Sequence, residues 1–201
     1  MQSETPLKLY YFGIKARAHL PLLVCEYAGL NYQWVTDFDW ATMKPTTPFG
    51  QLPYLVDGDV SLAQSMAIAR YLAKKAGLQG TTDADYAMSE QLIEEQNDIY
   101  SILAKANNAQ NKHEAYDQAL TVDIPKHLDL LEKLLGESEY FASTVTTGDL
   151  ALFSVFNIIL DFDSKAFDNY PKLKGFYDRL SGHSGVKRFL ELPMRQYLKR
   201  D

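Results

Sequence analysis

The sequence contains one cysteine, Cys25, in 201 residues. That excludes an intrachain disulfide and a multi-cysteine zinc site, and a reducing, cytoplasmic setting is the expectation. Long apolar runs are also missing. No stretch approaches the roughly 20 residues of a membrane span, and Met1-Gln2-Ser3-Glu4-Thr5-Pro6 has neither the basic start nor the apolar segment of a signal peptide. A soluble chain with no membrane partner is expected. Positive charge is not in excess, since 20 basic side chains against 26 acidic ones leave a net charge of −6. The late basic residues Lys187, Arg188, Arg195, Lys199 and Arg200 are interspersed with apolar ones, as on a solvated helix face. Nucleic acid is therefore not an expected partner. Histidines are few, and His19, His113, His127 and His183 have no metal-ligand spacing.

What is present is enough to fold. Hydrophobic residues make up 46% and charged residues 23%, too apolar a mixture for a disordered chain. Leu7 to Phe12 alternates and is rich in aromatics, which predicts a strand. Ala16 to Gly29 carries Leu20, Leu23, Val24 and Tyr27 at helical spacing, with Gly29 as the stop. Tyr32 to Thr36 predicts a second strand, so the chain opens as a β-α-β unit with a right-handed crossover. Phe38 to Gly50 has no clean period and predicts an irregular loop with one helical turn. Tyr54 to Val56 and Val60 to Leu62 flank Asp57-Gly58, a dipeptide suited to the positive φ of a tight hairpin. Met66, Ile68, Ala69, Leu72, Ala73 and Ala76 then mark an amphipathic helix ended by Gly77.

Strand patterns cease there. We expect a mixed α/β domain over 1–77, a polar linker over 78–83, and an all-helical domain over 84–201. Its helices are predicted near Asp85–Asn108, Ala115–Gly136, Gly148–Leu160, Lys172–Ser181 and Gly185–Leu190. One start is well specified. Thr146 can cap with its hydroxyl, Asp149 sits three residues on near the positive helix end, and Val145 can act as a staple. The nearly continuous apolar run Leu150, Ala151, Leu152, Phe153, Val155, Phe156 predicts a helix buried on most sides, structural rather than chemical in role.

Five segments in order carry a resemblance. They are Tyr11-Phe12 followed by Arg17-Ala18; Asp39-Trp40 with Lys44; Pro48-Phe49-Gly50-Gln51-Leu52-Pro53; Leu62 to Leu72 around Gln64-Ser65; and Thr146 to Asp149. Together they resemble the cytosolic glutathione transferases, most closely the sigma class, over nearly the whole chain. The resemblance implies a thioredoxin-like first domain, β-α-β-α-β-β-α, followed by a helical-bundle second domain. It also implies glutathione as cosubstrate with no prosthetic group, a small hydrophobic electrophile, a detoxifying transferase activity and a homodimer.

The chemistry that such an enzyme needs can be placed on residues. A glutathione thiol near its free pKa of ~8.5 is mostly protonated at neutral pH, so its thiolate must be stabilised. Tyr10 and Tyr11 both end the first strand and point to opposite faces, so at most one can donate to the sulfur. The family's Tyr-Phe pair and the step to Arg17 select Tyr11, leaving Tyr10 as a packing aromatic. The resemblance gives Arg17 a supporting electrostatic role. It gives the glycine-end carboxylate to Trp40 and Lys44, the cysteinyl backbone to Leu52 before Pro53, with Gln51 adjoining, and the γ-glutamyl carboxylate to Gln64 and Ser65. A helix start suits that last role through its unpaired N–H groups, and Ser65 can also serve as a plain cap. Asp98 resembles an acid that reaches the glutamyl amine of the neighbouring subunit's site, and Phe49 an aromatic that inserts into the partner.

The electrophile pocket is expected from Phe12, Gly13, Ile14, Leu103, Lys105 and Leu198. Matching from Asp98 puts Lys105 where the class's prostaglandin D synthases have a tryptophan wall. A lysine offers no such stacking surface, so poor prostaglandin isomerase activity is expected. Glu94 and Asp98 lie one helical turn apart, as a divalent cation would require, but Asn97 takes the place of an acid in that cluster and no metal is expected. Cys25 lies inside an apolar helix and reads as a buried hydrophobe. Two rival readings are a crystallin-like structural relative and a thioredoxin-like interaction module. The second has no use for Tyr11, Trp40, Lys44, Gln64 and Ser65 together.

Overall fold

The computed structural model describes residues 6–199. These form two compact units: one comprises 6–78 and Ser184–Arg195, and the other Gln79–His183 and 196–199.

In the first unit, β1 (Leu7–Tyr10) pairs in parallel with β3 (Tyr32–Val35), Leu7 opposite Tyr32 and Tyr10 opposite Val35. A two-residue strand β2 (Ile14–Lys15) and α1 (His19–Ala28) lie between them in sequence. On its other side β1 pairs antiparallel with β4 (Tyr54–Asp57), which pairs antiparallel with β5 (Val60–Ala63). The sheet order is therefore β3-β1-β4-β5, the mixed sheet expected of a thioredoxin-like domain. Alternation in β1 buries Leu7 and Leu9 and exposes Lys8. Gly29 ends α1 at φ 63°, the left-handed conformation that costs glycine nothing.

The loop expected over Phe38–Gly50 holds more order than one turn. It contains α2 (Trp40–Met43) followed by a 3-10 turn over Lys44–Thr46. Asp39 organises it, its carboxylate accepting from the Ala41 and Thr42 N–H groups and from the Thr42 hydroxyl. These bonds hold its pKa below the usual carboxylate range, the Thr42 hydroxyl contributing most. Helix α3 (Ser65–Ala76) follows β5 and buries Ile68, Ala69, Leu72 and Ala73.

In the second unit α4 (Asp83–Asn107) begins two residues earlier than expected, because Thr82 and Asp85 close a capping box. The single helix expected over Ala115–Gly136 is replaced by α5 (Lys112–Gln118), a π-helical turn over Ala119–Asp123, and α6 (Ile124–Leu135). Pro125 supplies the physical reason. It has no N–H to give to the carbonyl four residues back, and the wider turn absorbs the interruption. Helix α7 (Thr147–Phe162) is buried along Thr147 to Ile159, as its apolar run predicts. Gly148 allows its close approach to α4: a Cβ there would stand 2.7 Å from Ser89 Cα, and its N–H donates to Ser89 Oγ at 3.0 Å. The first amides of α8 (Pro171–Ser181), Lys172 and Leu173, donate to the Glu132 carboxylate at 3.0 and 2.9 Å.

The last helix, α9 (Ser184–Leu190), belongs to the first unit and packs on α1. Arg188 donates to the Glu26 carbonyl at 2.7 Å and to its carboxylate at 3.1 Å, and the Phe189 ring lies 4.6 Å from that of His19. Among the described residues no helix is long and apolar enough to cross a membrane, and no cluster of three or more His, Cys, Asp or Glu could hold a metal ion.

Candidate active site

The first unit gathers its irregular backbone at the ends of its strands. Tyr11 lies just past β1, continuing the ladder with an N–H bond to the Val35 carbonyl at 3.2 Å. Its ring is buried, 6% exposed, and its hydroxyl oxygen accepts the backbone N–H of Arg17 at 3.1 Å. That bond occupies an acceptor site of the phenol and does not consume its O–H donor. An N–H pointed at the oxygen also favours negative charge there, which makes the hydroxyl a stronger donor to an anion. The Arg17 side chain itself is exposed. The Arg17 amide thus reaches the same oxygen for which the resemblance gives the Arg17 guanidinium a supporting electrostatic role.

Tyr10 faces the other way, as alternation requires. Its ring packs edge-on against Phe38 at 6.0 Å and beside Tyr54 at 5.9 Å.

Trp40 and Lys44 are placed by one helical turn. The Lys44 N–H donates to the Trp40 carbonyl, so the two side chains leave the same face. Trp40 is half-buried and Lys44 exposed. The Lys44 stem runs along Gly50, where a Cβ would stand 3.5 Å from Lys44 Cε. Leu52-Pro53 is a cis peptide. Pro53 is buried, Leu52 half-buried and Gln51 exposed.

Gln64 has φ 74°, the only non-glycine residue with positive φ among those described. It is the N-cap of α3 and its side chain makes no capping bond, reaching instead toward Gln51, Nε2 to Oε1 3.5 Å. Ser65 is thus the first helical residue, where the pattern from Ser65 to Ala76 starts, and Gln64 rather than Ser65 is the cap. A cap residue has extended backbone, and here Gln64 takes that place with a left-handed twist. Such a conformation costs of order 1–3 kcal/mol and persists where the surroundings impose it. Sequence gives no sign of it, because glutamine is not a residue that favours positive φ.

The remaining expected residues differ in exposure. Phe12 is exposed, 44%, while Gly13 and Ile14 are half-buried, the Gly13 carbonyl accepting the Arg195 N–H at 3.0 Å. Asp98 and Lys105 are exposed positions of α4 in the second unit. Leu103 and Leu198 are 0% and 1% exposed. They were expected as pocket walls, but side chains so enclosed present no surface to a ligand and read as packing. Cys25 is fully buried, which together with the neighbouring Glu26 carboxylate pushes its thiol well above the ordinary range.

Comparison with known proteins supplies the family. The family model described as glutathione S-transferase, N-terminal domain, matches residues 5–74, and the one for the C-terminal domain matches 95–192. Glutathione S-transferase 1 of Ascaris suum is 35% identical over 196 residues, 92% of this chain and 88% of the relative. Hematopoietic prostaglandin D synthase of Gallus gallus is 31% identical over 188 residues, 92% and 94% of the two chains. A solved structure of rat hPGDS complexed with a quinoline superposes with a TM-score of 0.86 at 27% identity, covering 97% of this chain and all of that one. The chain belongs to the glutathione S-transferase family and is a glutathione transferase.

Proposed function

We propose that this enzyme, a sigma-type transferase, holds glutathione as its thiolate with the Tyr11 hydroxyl and adds it to small apolar or aromatic electrophiles. The observation that carries this reading is the 3.1 Å bond from the Arg17 amide to the Tyr11 oxygen, which orients a buried phenol and strengthens it as a donor. In the reaction the thiol proton leaves to solvent and the Tyr11 O–H donates to the sulfur. The sulfur lone pair then forms a C–S bond at the electrophilic carbon. With an aryl halide, the halide departs with the bonding pair. The same thiolate can reduce a hydroperoxide, its sulfur taking the terminal oxygen as the alkoxide leaves and a second glutathione converting the sulfenic acid to the disulfide and water, or it can isomerise a peroxide.

The tripeptide is held by groups whose chemistry matches its ends. The Trp40 indole N–H and the Lys44 ammonium bind the glycine carboxylate. The Leu52 backbone pairs with the cysteinyl part, and Gln51 and Pro53 shape that edge. Gln64 and Ser65, with the uncapped start of α3, receive the γ-glutamyl carboxylate. Asp98 from a second copy binds the glutamyl amine. Tyr11→Phe is expected to lower turnover by about 10- to 1000-fold with glutathione affinity nearly unchanged, as for loss of one donor to an anion. A loss confined to affinity would refute the assignment.

Relatives named prostaglandin D synthase supply the competing reading. Lys105 argues against it, because its charge is costly to desolvate beside a lipid tail. The assay is conversion of a prostaglandin endoperoxide beside a small aryl halide. Efficient isomerisation with negligible conjugation would replace detoxifying conjugation by the isomerase reading, and glutathione binding without either turnover would favour a crystallin-like role. Phe12, Gly13, Ile14 and Lys105 remain the expected electrophile contacts. A cytoplasmic homodimer completes the proposal, supported by the exposure of Asp98 and of Phe49, 64%. Sedimentation showing a fully active monomer would remove it.

A further inference from the structure

Phe12 and Phe38 form a stacked pair, ring centroids 5.8 Å apart and planes 27° from parallel. The Phe12 ring also lies 5.8 Å from the Tyr11 ring, centroid to centroid, so the pair begins beside that side chain. Phe12 nevertheless keeps 44% of its surface exposed. An exposed phenylalanine held by a second ring is a flat apolar surface that does not turn freely.

Phe38 is itself fixed from two directions. The Tyr10 ring meets it edge-on at 6.0 Å and an 82° angle, and Tyr10 rests in turn on Tyr54 of β4. On the chain, Phe38 directly precedes Asp39, whose three hydrogen bonds lock the start of α2. Tyr54, Tyr10, Phe38 and Phe12 thus make a continuous row of rings running from the sheet to an open edge next to Tyr11. Stacked and edge-on contacts at these distances carry orientation as well as burial.

We infer that Phe38 is a specificity-determining residue: it holds Phe12 as a rigid plate beside the glutathione sulfur, on which flat aromatic electrophiles stack and aliphatic ones gain little. The inference rests on Tyr11 being the residue that faces the sulfur. Phe38 acts through Phe12 and is a positioning residue, touching neither glutathione nor the reacting carbon.

The test compares an aryl halide with a small aliphatic enal, both conjugated by the full-length enzyme, together with glutathione affinity and thermal midpoint. Phe38→Leu keeps apolar bulk and removes the ring. It is expected to raise KM for the aryl halide about 3- to 10-fold, as loss of an aromatic pair implies, and to leave glutathione affinity and enal conjugation within about twofold. Phe38→Tyr should restore the parent values. Phe12→Leu should lose at least as much on the aryl halide, and Phe38→Leu should add nothing further in that background, the signature of two residues acting as a unit. Equal losses on both electrophiles, additive losses in the double variant, or no change in Phe38→Leu would each overturn the inference while leaving Tyr11 in place. Absence of any conjugation by the parent enzyme would overturn it together with the reading on which it rests.

Discussion

Helices α4 and α7 of the second unit both begin with a capping box, Thr82 with Asp85 and Thr146 with Asp149, and their first donors are satisfied within the chain. Helix α3 of the first unit begins at Gln64, with positive φ and no side-chain cap. The acids of the second unit do still more. Asp85 also accepts from the Ser143 N–H and hydroxyl at 2.9 and 2.8 Å, and Asp149 from the Phe141 N–H at 3.0 Å. Where a helix start is closed by its own chain, its amides stabilise the fold. Where it is left uncapped on a residue of positive φ, the proposed function assigns those amides to the γ-glutamyl carboxylate.

The largest effect expected from this contrast is on stability. Asp149→Ala leaves the buried N–H groups of Phe141 and Thr146 without their acceptor. At about 1–3 kcal/mol for each orphaned donor, a loss of about 2–6 kcal/mol is expected from the urea midpoint, with glutathione affinity of the folded protein unchanged. A cost below about 0.5 kcal/mol, the size of an ordinary surface change, would break the comparison.

Gln64→Gly should act in the opposite sense on each property. Glycine adopts positive φ without strain, so the fold is expected to gain about 1 kcal/mol, seen as a midpoint higher by about 2–4 °C. Glutathione binding should weaken, since the flexible residue no longer holds the start of α3. A variant both less stable and tighter-binding would show that the φ of Gln64 is incidental.

The two capping acids should also respond to pH with opposite sign. Hydrogen bonds led by the Ser143 amide hold the Asp85 pKa below its ordinary value. Its contribution is therefore present above the unfolded carboxylate range, about pH 4, and is lost as pH falls from there toward the folded value. Burial raises the Asp149 pKa despite the bonds it accepts. The folded state then holds that proton more tightly, so its contribution declines as pH rises from about 4 through the raised value. Acid titration of stability in Asp85→Asn and Asp149→Asn, each against the parent, should give differences that shrink and grow, respectively, as pH falls.

Smallest of all should be Tyr10→Phe, with turnover within about twofold of the parent, because its ring packs on Phe38 and Tyr54 away from Tyr11. A large loss there with Tyr11→Phe silent would mean the face assignment is inverted.

The legible part of the fold is the part that rests on period and turn chemistry. Leu7 and Leu9 announce β1, Asp57-Gly58 the hairpin, and the run after Asp149 the buried α7. The break at Ala119–Asp123 was less visible, although Pro125 is its cause and stands in the sequence. The return of α9 to the first unit depends on close approach at Gly185 and on Arg188 reaching Glu26, contacts between distant residues that no local pattern encodes. At the site, alternation allowed only one of Tyr10 and Tyr11, and the resemblance pointed to Tyr11 and to Trp40 with Lys44. It could not supply the Arg17 amide, the φ of Gln64 or the stacking of Phe38 on Phe12, because each depends on backbone or tertiary geometry and not on residue type.

The central claim is that the Tyr11 hydroxyl, held by the Arg17 amide, stabilises the glutathione thiolate. Its most direct measurement is the ultraviolet absorbance of the thiolate as a function of pH for glutathione bound to the parent enzyme and to Tyr11→Phe. The account predicts a bound thiol that ionises below its free value of about 8.5 in the parent and returns toward that value in Tyr11→Phe, with binding retained in both. Equal ionisation in the two proteins would contradict it.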